Sequence, residues 1–105
     1  SMIGRTLDNL IENALRFTPP EGQISIELQQ DEGDVLIDVT DTGAGIPADE
    51  LPHIFDRFYR VRRHPDGTGL GLAISQRILE AHERSISVKS RVNEGSVFSF
   101  SLPCA

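Results

Sequence analysis

The sequence lacks the features of a membrane span, a disulfide scaffold or a nucleic-acid surface. No apolar run approaches the roughly 18 residues of a membrane span, and no secretory h-region is visible. The single cysteine, Cys104, cannot form an internal disulfide, which indicates a reducing compartment. The net charge of −6 argues against binding to nucleic acid. With 105 residues the chain fits one domain, and we interpret residues 1–2 as a cloning remnant and residues 3–105 as that domain.

Hydrophobic periodicity predicts an alternation of helices and strands. Apolar residues at helical spacing predict a helix over about 2–17 and another over about 69–81. Alternating apolar and polar residues predict strands in QISIELQ, VLIDVTD, SISVKS and SVFSFSL. PADELPHIF predicts a short helix, and a polar loop follows over about 59–68. This order indicates an α+β fold, a two-layer sandwich with helices on one face of a mixed, largely antiparallel sheet.

The segment DGTGLGLAIS, residues 66–75, carries three glycines at alternate positions directly before the second long helix. A helix N-terminus offers unpaired N–H groups to phosphate oxygens, and glycine lets the backbone approach a ligand closely. On this segment alone, a flexible hinge is an equal alternative. The G-x-G-x-G spacing excludes the dinucleotide fingerprint, and the only lysine, Lys89, is too far away to serve a P-loop.

A second glycine cluster, DTGAGIP at residues 41–47, follows the end of a predicted strand. The carboxylate of Asp41 could accept a hydrogen bond from an exocyclic amine, while Gly43 and Gly45 would let a flat base lie against the backbone. By itself the cluster also fits a simple strand-to-helix turn. Its pairing with the distant GTGLGL motif favours a nucleotide site.

Polar residues also share one face of the first helix. Asn9, Asn13 and Arg16 are spaced at i, i+4 and i+7. Asparagine carbonyls are hard oxygen ligands that suit Mg²⁺, which usually bridges to phosphate. A solvated helix face is the alternative interpretation.

Four motifs follow one another along the chain: NLIENALRFTP, DTGAGIP, IFDRFYR and GTGLGLAI. They resemble the N, G1, F and G2 boxes of the ATP-binding catalytic domain of sensor histidine kinases, in the Bergerat (GHKL) superfamily. The C-terminal EGSVFSFSLP is similar to the closing strand of that domain, so the resemblance spans nearly the whole chain. It implies the Bergerat fold, with ATP and Mg²⁺ as cofactors and a histidine on a separate domain as phosphoryl acceptor.

The resemblance implies roles for individual residues. Asn13 corresponds to the Mg²⁺ ligand, Asn9 to its partner one turn earlier, and Asp41 to the acceptor for the adenine amino group. Arg60 corresponds to the arginine that reaches the γ-phosphate, so Asn13 and Arg60 are the expected catalytic residues, and residues 61–68 correspond to a short ATP lid. The other expected nucleotide contacts are Arg16 at the phosphates, Phe17 beside the adenine, Gly43, Gly45, Ile46, Tyr59, Gly67, Thr68, Gly69, Leu70, Gly71, Leu72 and Ser96.

The resemblance also implies partners that are absent from the sequence. They are a dimerisation and histidine phosphotransfer domain of the same protein and a response regulator, within a membrane-bound homodimer that keeps this domain in the cytoplasm. HERS, residues 82–85, lies where the family has an H-G-G turn, so His82 is not the phosphoryl acceptor, and Glu83 and Arg84 replace the two glycines.

Three other functions stay open: an ATP-hydrolysing clamp, an anti-sigma-factor serine kinase and a non-catalytic nucleotide-gated interaction module. The F box favours the histidine kinase over the first two. The presence of Asn13, Asp41 and all three G2 glycines argues against the third.

Overall fold

The chain folds into two layers, with α-helices packed on one face of a four-stranded sheet. The computed structural model of the protein describes residues 2–57, 59 and 71–103, and it gives only the backbone of residues 2, 3 and 17. Among these residues, no helix combines the length and the apolar character needed to cross a membrane. The elements are α1 (Met2–Phe17), β1 (Ile24–Asp31), β2 (Asp34–Asp41), a 3₁₀ turn (Leu51–His53), α2 (Gly71–Ala81), β3 (Ile86–Arg91) and β4 (Gly95–Pro103).

The sheet has the strand order β1-β2-β4-β3, and each neighbouring pair is antiparallel. The predicted α+β sandwich is therefore confirmed, with a described sheet that is antiparallel throughout. The β1–β2 hairpin turns at Glu32 and Gly33, whose φ angles of 46° and 87° are both positive. Two successive positive φ angles match the right-handed twist of the strands and make the connection tight.

The core lies between the helices and the inner face of β2 and β4. Strand register places Val39 beside Phe98 and Ile37 beside Phe100 on this face. Helical spacing brings Leu10 and Ala14 of α1 to the same layer, because residues four apart lie one turn above each other. The buried core cluster consists of Leu10, Ala14, Ile37, Val39, Ile46, Ile54, Leu79, Phe98 and Phe100.

The inner face changes from apolar to polar at one end of the sheet. Asp41 of β2 lies opposite Ile24 of β1 on one side and opposite Ser96 of β4 on the other. Ser96 in turn lies opposite Ser90 of β3. Since side chains alternate between faces along a strand, this row follows directly after the core pair of Val39 and Phe98. The end of the sheet therefore offers buried polar groups at the margin of the core.

The segment PADELPHIF forms less helix than its sequence predicts. Only Leu51–His53 is helical, as a single 3₁₀ turn. Its hydrogen bonds span three residues, as in the bond of 2.9 Å from the His53 amide to the Glu50 carbonyl. Pro52 lies inside this turn and has no N–H to extend an α-helical ladder. The predicted short helix is therefore present only as this one 3₁₀ turn.

The α2–β3 turn forms although Glu83 and Arg84 replace the glycines of the family pattern. The Arg84 amide bonds to the Leu79 carbonyl at 2.7 Å, the six-residue bond of a Schellman motif. Glu83 takes the left-handed position of that motif, with φ of 58°. The Arg84 guanidinium donates to Asp34 Oδ2 at 3.1 Å and thereby ties this turn to the start of β2.

We predict that Glu83→Gly raises the free energy of unfolding by about 1 kcal/mol, because glycine adopts the left-handed conformation without a Cβ penalty. Glu83→Ala keeps the strained backbone and removes only the charge, so its stability should lie between wild type and the glycine variant. Glu80→Gly, inside α2, should instead destabilise by about 1 kcal/mol. Urea unfolding measures all three variants, and a glycine variant no more stable than Glu83→Ala would contradict the strain at this position.

Candidate functional site

A buried carboxylate stands at the point where β2 ends. Asp41 is only 3% exposed, and one of its oxygens accepts a hydrogen bond of 2.9 Å from the Gly43 amide. Burial raises the pKa of Asp41 above its usual value, while backbone hydrogen bonds from Gly43 and Ser96 oppose that rise. The result is a fixed, poorly hydrated acceptor that gains from any further hydrogen-bond donor.

The turn after Asp41 is anchored to strands on both sides. Thr42 exchanges two hydrogen bonds with Gln23, of 3.0 Å from its amide and 2.9 Å to its hydroxyl oxygen. On the other side, the Asn93 amide donates to the Ala44 carbonyl at 2.7 Å. These bonds connect the turn to the start of β1 and to the β3–β4 hairpin, so its conformation is set by the sheet.

Two glycines allow this close approach of backbones. Gly45 has φ of 75°, and a Cβ there would collide with the Arg91 carbonyl. Gly95 has φ of 94°, and a Cβ there would collide with the Asp41 carbonyl. The sequence predicts that Gly45 is part of the nucleotide pocket. In the structure, glycine is needed at this position because the turn packs directly against the end of β3.

Ser90 joins the turn to β4 through three hydrogen bonds, and sequence reasoning missed it. The Ile46 amide donates to Ser90 Oγ at 2.7 Å, and the Ser90 hydroxyl donates to the Gly95 carbonyl at 3.0 Å. Because that proton is committed, the 2.7 Å contact between the Ser90 and Ser96 hydroxyls has Ser96 as its donor. The sequence does contain a signal for Ser90: it follows Val88 by two residues, so both side chains lie on the core-facing side of β3.

Asn13 presents an unsatisfied amide at the helix side of the site. The residue is only 7% exposed, and its Nδ2 is buried without a hydrogen-bond partner among the described residues. A buried polar group of this kind costs about 1–3 kcal/mol, which a bound ligand can recover. Rotation of the amide exchanges its nitrogen for an oxygen, so the side chain can also offer a metal ligand.

Asn9 connects the two helices. Its Nδ2 donates to the Gly71 carbonyl and to Ser75 Oγ, at 3.3 Å in each case. Ser75 is completely buried and donates its own hydroxyl to the Gly71 carbonyl at 2.9 Å. The predicted N-box helix and the first turn of the predicted G2 helix are thus in direct contact, and Ser75 is a second residue that sequence reasoning missed.

A cavity of about 420 Å³ lies between the end of α1 and the turn after β2. Its volume is within the range of small-molecule sites. Two of the predicted nucleotide contacts, Arg16 and Gly43, contribute to its wall. The lining residues are Arg16, Thr18, Pro19, Thr42, Gly43, Ala44 and Asn93.

Some predicted site residues lie elsewhere or outside the described ranges. Tyr59 packs its ring against the core and donates its hydroxyl to Glu50 Oε1 at 2.8 Å, and Leu72 also packs against the core. Their contacts with a nucleotide stay predictions. The same holds for the predictions that lie outside the described residues, which concern the Phe17 side chain, Arg60, Gly67, Thr68, Gly69, Leu70 and the lid over residues 61–68.

Comparison with known proteins gives consistent matches over the whole chain. Residues 1–105 match the family described as histidine kinase-, DNA gyrase B- and HSP90-like ATPase. The chain is 45% identical over 107 residues to the sensor histidine kinase RppB of Synechocystis, with 98% of this chain and 24% of that protein covered. It therefore spans about a quarter of the length of this relative.

Solved structures show the same likeness in three dimensions. The mycobacterial sensor histidine kinase MprB superposes with a TM-score of 0.87 at 31% identity, covering 97% of this chain and 72% of that one. Full-length ShkA in complex with AMPPNP superposes with a TM-score of 0.86 at 32% identity, covering 99% of this chain and 22% of that one.

We predict that Ser90→Ala lowers the free energy of unfolding by about 1–3 kcal/mol, because the buried Ile46 amide loses its acceptor. Ser87→Ala, on the same strand but exposed, is the matched control and should stay within about 0.5 kcal/mol of wild type. Chemical unfolding compares the two. Equal stability of both variants would show that Ser90 does not hold the turn.

Proposed function

The chain belongs to the histidine kinase-, DNA gyrase B- and HSP90-like ATPase family, and within it to the catalytic domains of sensor histidine kinases. From that premise we propose that it binds Mg-ATP and donates the γ-phosphoryl group to a histidine on another domain. A nitrogen of that histidine bonds to the γ-phosphorus while the bond to the β,γ-bridging oxygen breaks and ADP leaves. The complex of its relative ShkA with AMPPNP, an ATP analogue, supports this choice of nucleotide.

The buried carboxylate of Asp41 is the observation that carries the proposal. Its fixed oxygens suit the exocyclic amine of adenine, which is a hydrogen-bond donor. Burial leaves the ionised carboxylate poorly solvated in the free protein, and this raises the pKa of Asp41. A donated hydrogen bond favours the ionised form, and nucleotide binding should therefore lower this pKa again. Gly43 and Ser96 hold the carboxylate in place through their amides.

The asparagines of α1 supply the phosphate end of the proposed site. Asn13, with its buried and unsatisfied amide, fits a metal ligand because rotation brings Oδ1 to the same position. Asn9 lies one helical turn before it, and Arg16, exposed at the end of the helix, supplies positive charge. The two asparagines would hold Mg²⁺, which would supply positive charge to offset that of the phosphates.

Residue 9 is an asparagine and not a base, which agrees with donation of the phosphoryl group to a histidine rather than with hydrolysis of ATP. A neutral amide cannot accept a proton from water near neutral pH. Glu12 is exposed on α1, two residues and about 200° around the helix from Leu10 of the core. Neither residue is therefore suited to activate a water molecule beside the γ-phosphate.

The proposal for the whole protein extends beyond this chain. We propose a kinase in which a dimerisation and histidine phosphotransfer domain provides the acceptor and a response regulator takes the phosphoryl group from it. The whole kinase is proposed to be a membrane-anchored homodimer with this domain on the cytoplasmic side. The naming of relatives such as RppB and MprB as sensor histidine kinases supports this arrangement.

We predict that Asp41→Ala weakens the binding of Mg-ATP roughly 10- to 100-fold, since a hydrogen bond to a charged acceptor is lost. Asp38→Ala is the matched control, because Asp38 lies on the same strand with its side chain on the opposite face of the sheet. Titration calorimetry measures both variants. Undiminished affinity of Asp41→Ala would refute the assignment of this carboxylate to adenine.

We also predict that the purified chain binds ATP but releases phosphate very slowly, because neither Asn9 nor Glu12 is suited to activate water. Addition of a histidine-bearing dimerisation domain should produce a phosphorylated histidine. Asn13→Ala should abolish that labelling by weakening the binding of Mg²⁺. Radiolabelled ATP follows both products. Rapid steady-state phosphate release from the chain alone would favour an ATP-hydrolysing clamp instead.

A further inference from the structure

The hydroxyl of Ser75 stands at a junction between the two helices. Ser75 is 0% exposed and lies one turn after Gly71, the first residue of α2. Its bond to the Gly71 carbonyl, at 2.9 Å, is the ordinary link of a helical serine to the carbonyl four residues earlier. The second bond, from Asn9 Nδ2 at 3.3 Å, reaches across from α1 and is not required by the helix itself.

The hydrogen-bond network fixes which end of the Asn9 amide faces α2. The Gly71 carbonyl can only accept, so the atom that approaches it to 3.3 Å must be the nitrogen. Ser75 has already committed its one hydroxyl proton to the same carbonyl, so it too must accept from Asn9. Both contacts hold the nitrogen of Asn9 against α2, and its Oδ1 is turned away from them.

We infer that Ser75 is a positioning residue for the metal-binding end of the site. Its buried hydroxyl, together with the Gly71 carbonyl, holds the nitrogen of the Asn9 amide against α2, so the oxygen is the end of the amide left to serve a metal ion beside Asn13, one helical turn later. An asparagine amide is nearly symmetric in shape, and a second acceptor that also requires the nitrogen raises the cost of turning it over. Partners of this kind orient metal ligands and strengthen metal binding. The inference rests on the proposed binding of Mg-ATP.

The test compares binding of AMPPNP to the 105-residue chain with Mg²⁺ and with a chelator, and the ratio of the two affinities is the measured quantity. Ser75→Ala should lower this ratio roughly tenfold and leave the affinity in chelator unchanged. Asn9→Ala should lower the ratio as well. The double variant should have the same ratio as Asn9→Ala, because Ser75 acts only by orienting the oxygen that Asn9→Ala removes. An unchanged ratio in Ser75→Ala would overturn the inference.

A stability control separates positioning from packing. Ile78→Val truncates a buried residue of the same helix that has no contact with Asn9 in the network, and it costs about 0.5–1.5 kcal/mol. It should leave the affinity ratio at the wild-type value, and a fall equal to that of Ser75→Ala would show that general destabilisation explains the effect. If Ser75→Ala fails to fold, Ser75→Cys keeps a side chain with only a weak acceptor and should still lower the ratio.

A readout in the free protein makes the inference independent of the nucleotide. The side-chain amide protons of Asn9 should show slow exchange and restricted motion by NMR in wild type and in Ile78→Val, and fast motion in Ser75→Ala. Equal mobility in all three proteins would contradict the role of Ser75. In contrast, a wild-type chain with restricted Asn9 but no effect of Mg²⁺ on AMPPNP affinity would refute the proposed function while leaving the orientation of the amide intact.

Discussion

The buried carboxylate of Asp41 imposes a condition on the backbone around it. Burial raises its pKa, and the protein limits that rise with amide donors from Gly43 and Ser96. The Ser96 donor is in place only if β4 lies close to the end of β2, which requires a glycine at position 95. The same closeness brings Ser96 within reach of Ser90, whose hydroxyl also accepts the Ile46 amide. One buried charge thus accounts for much of the order at this end of the sheet.

The helices meet the site through a second polar junction. Asn9, Gly71 and Ser75 hold α1 against the first turn of α2, while Asn13 keeps a buried amide without a partner among the described residues. Ser75, Asn13, Asp41 and Ser96 of these two junctions are all buried. The unsatisfied amide of Asn13 is expensive to keep buried, which agrees with the ligand proposed for this end of the site.

The departures from expectation have local causes. Pro52 limits the predicted short helix to one 3₁₀ turn. At the α2–β3 turn, Glu83 adopts a left-handed conformation and Arg84 bonds to Asp34, so the turn survives the loss of two glycines. In the first case a single residue interrupts the helical pattern, and in the second backbone hydrogen bonding prevails over the preference of a single residue.

The sequence by itself determined the elements, their order and the residue types of the site. Periodicity identified α1, α2 and the four strands, and the spacing of Asn9 and Asn13 put them on one helical face, because these patterns depend on neighbours within one element. Tertiary structure alone decided the strand register that aligns Asp41 with Ser96 and Ser90, and the crossing of α1 and α2 that brings Asn9 to Ser75. Such contacts join residues far apart in the chain, and no local pattern specifies the distance between them.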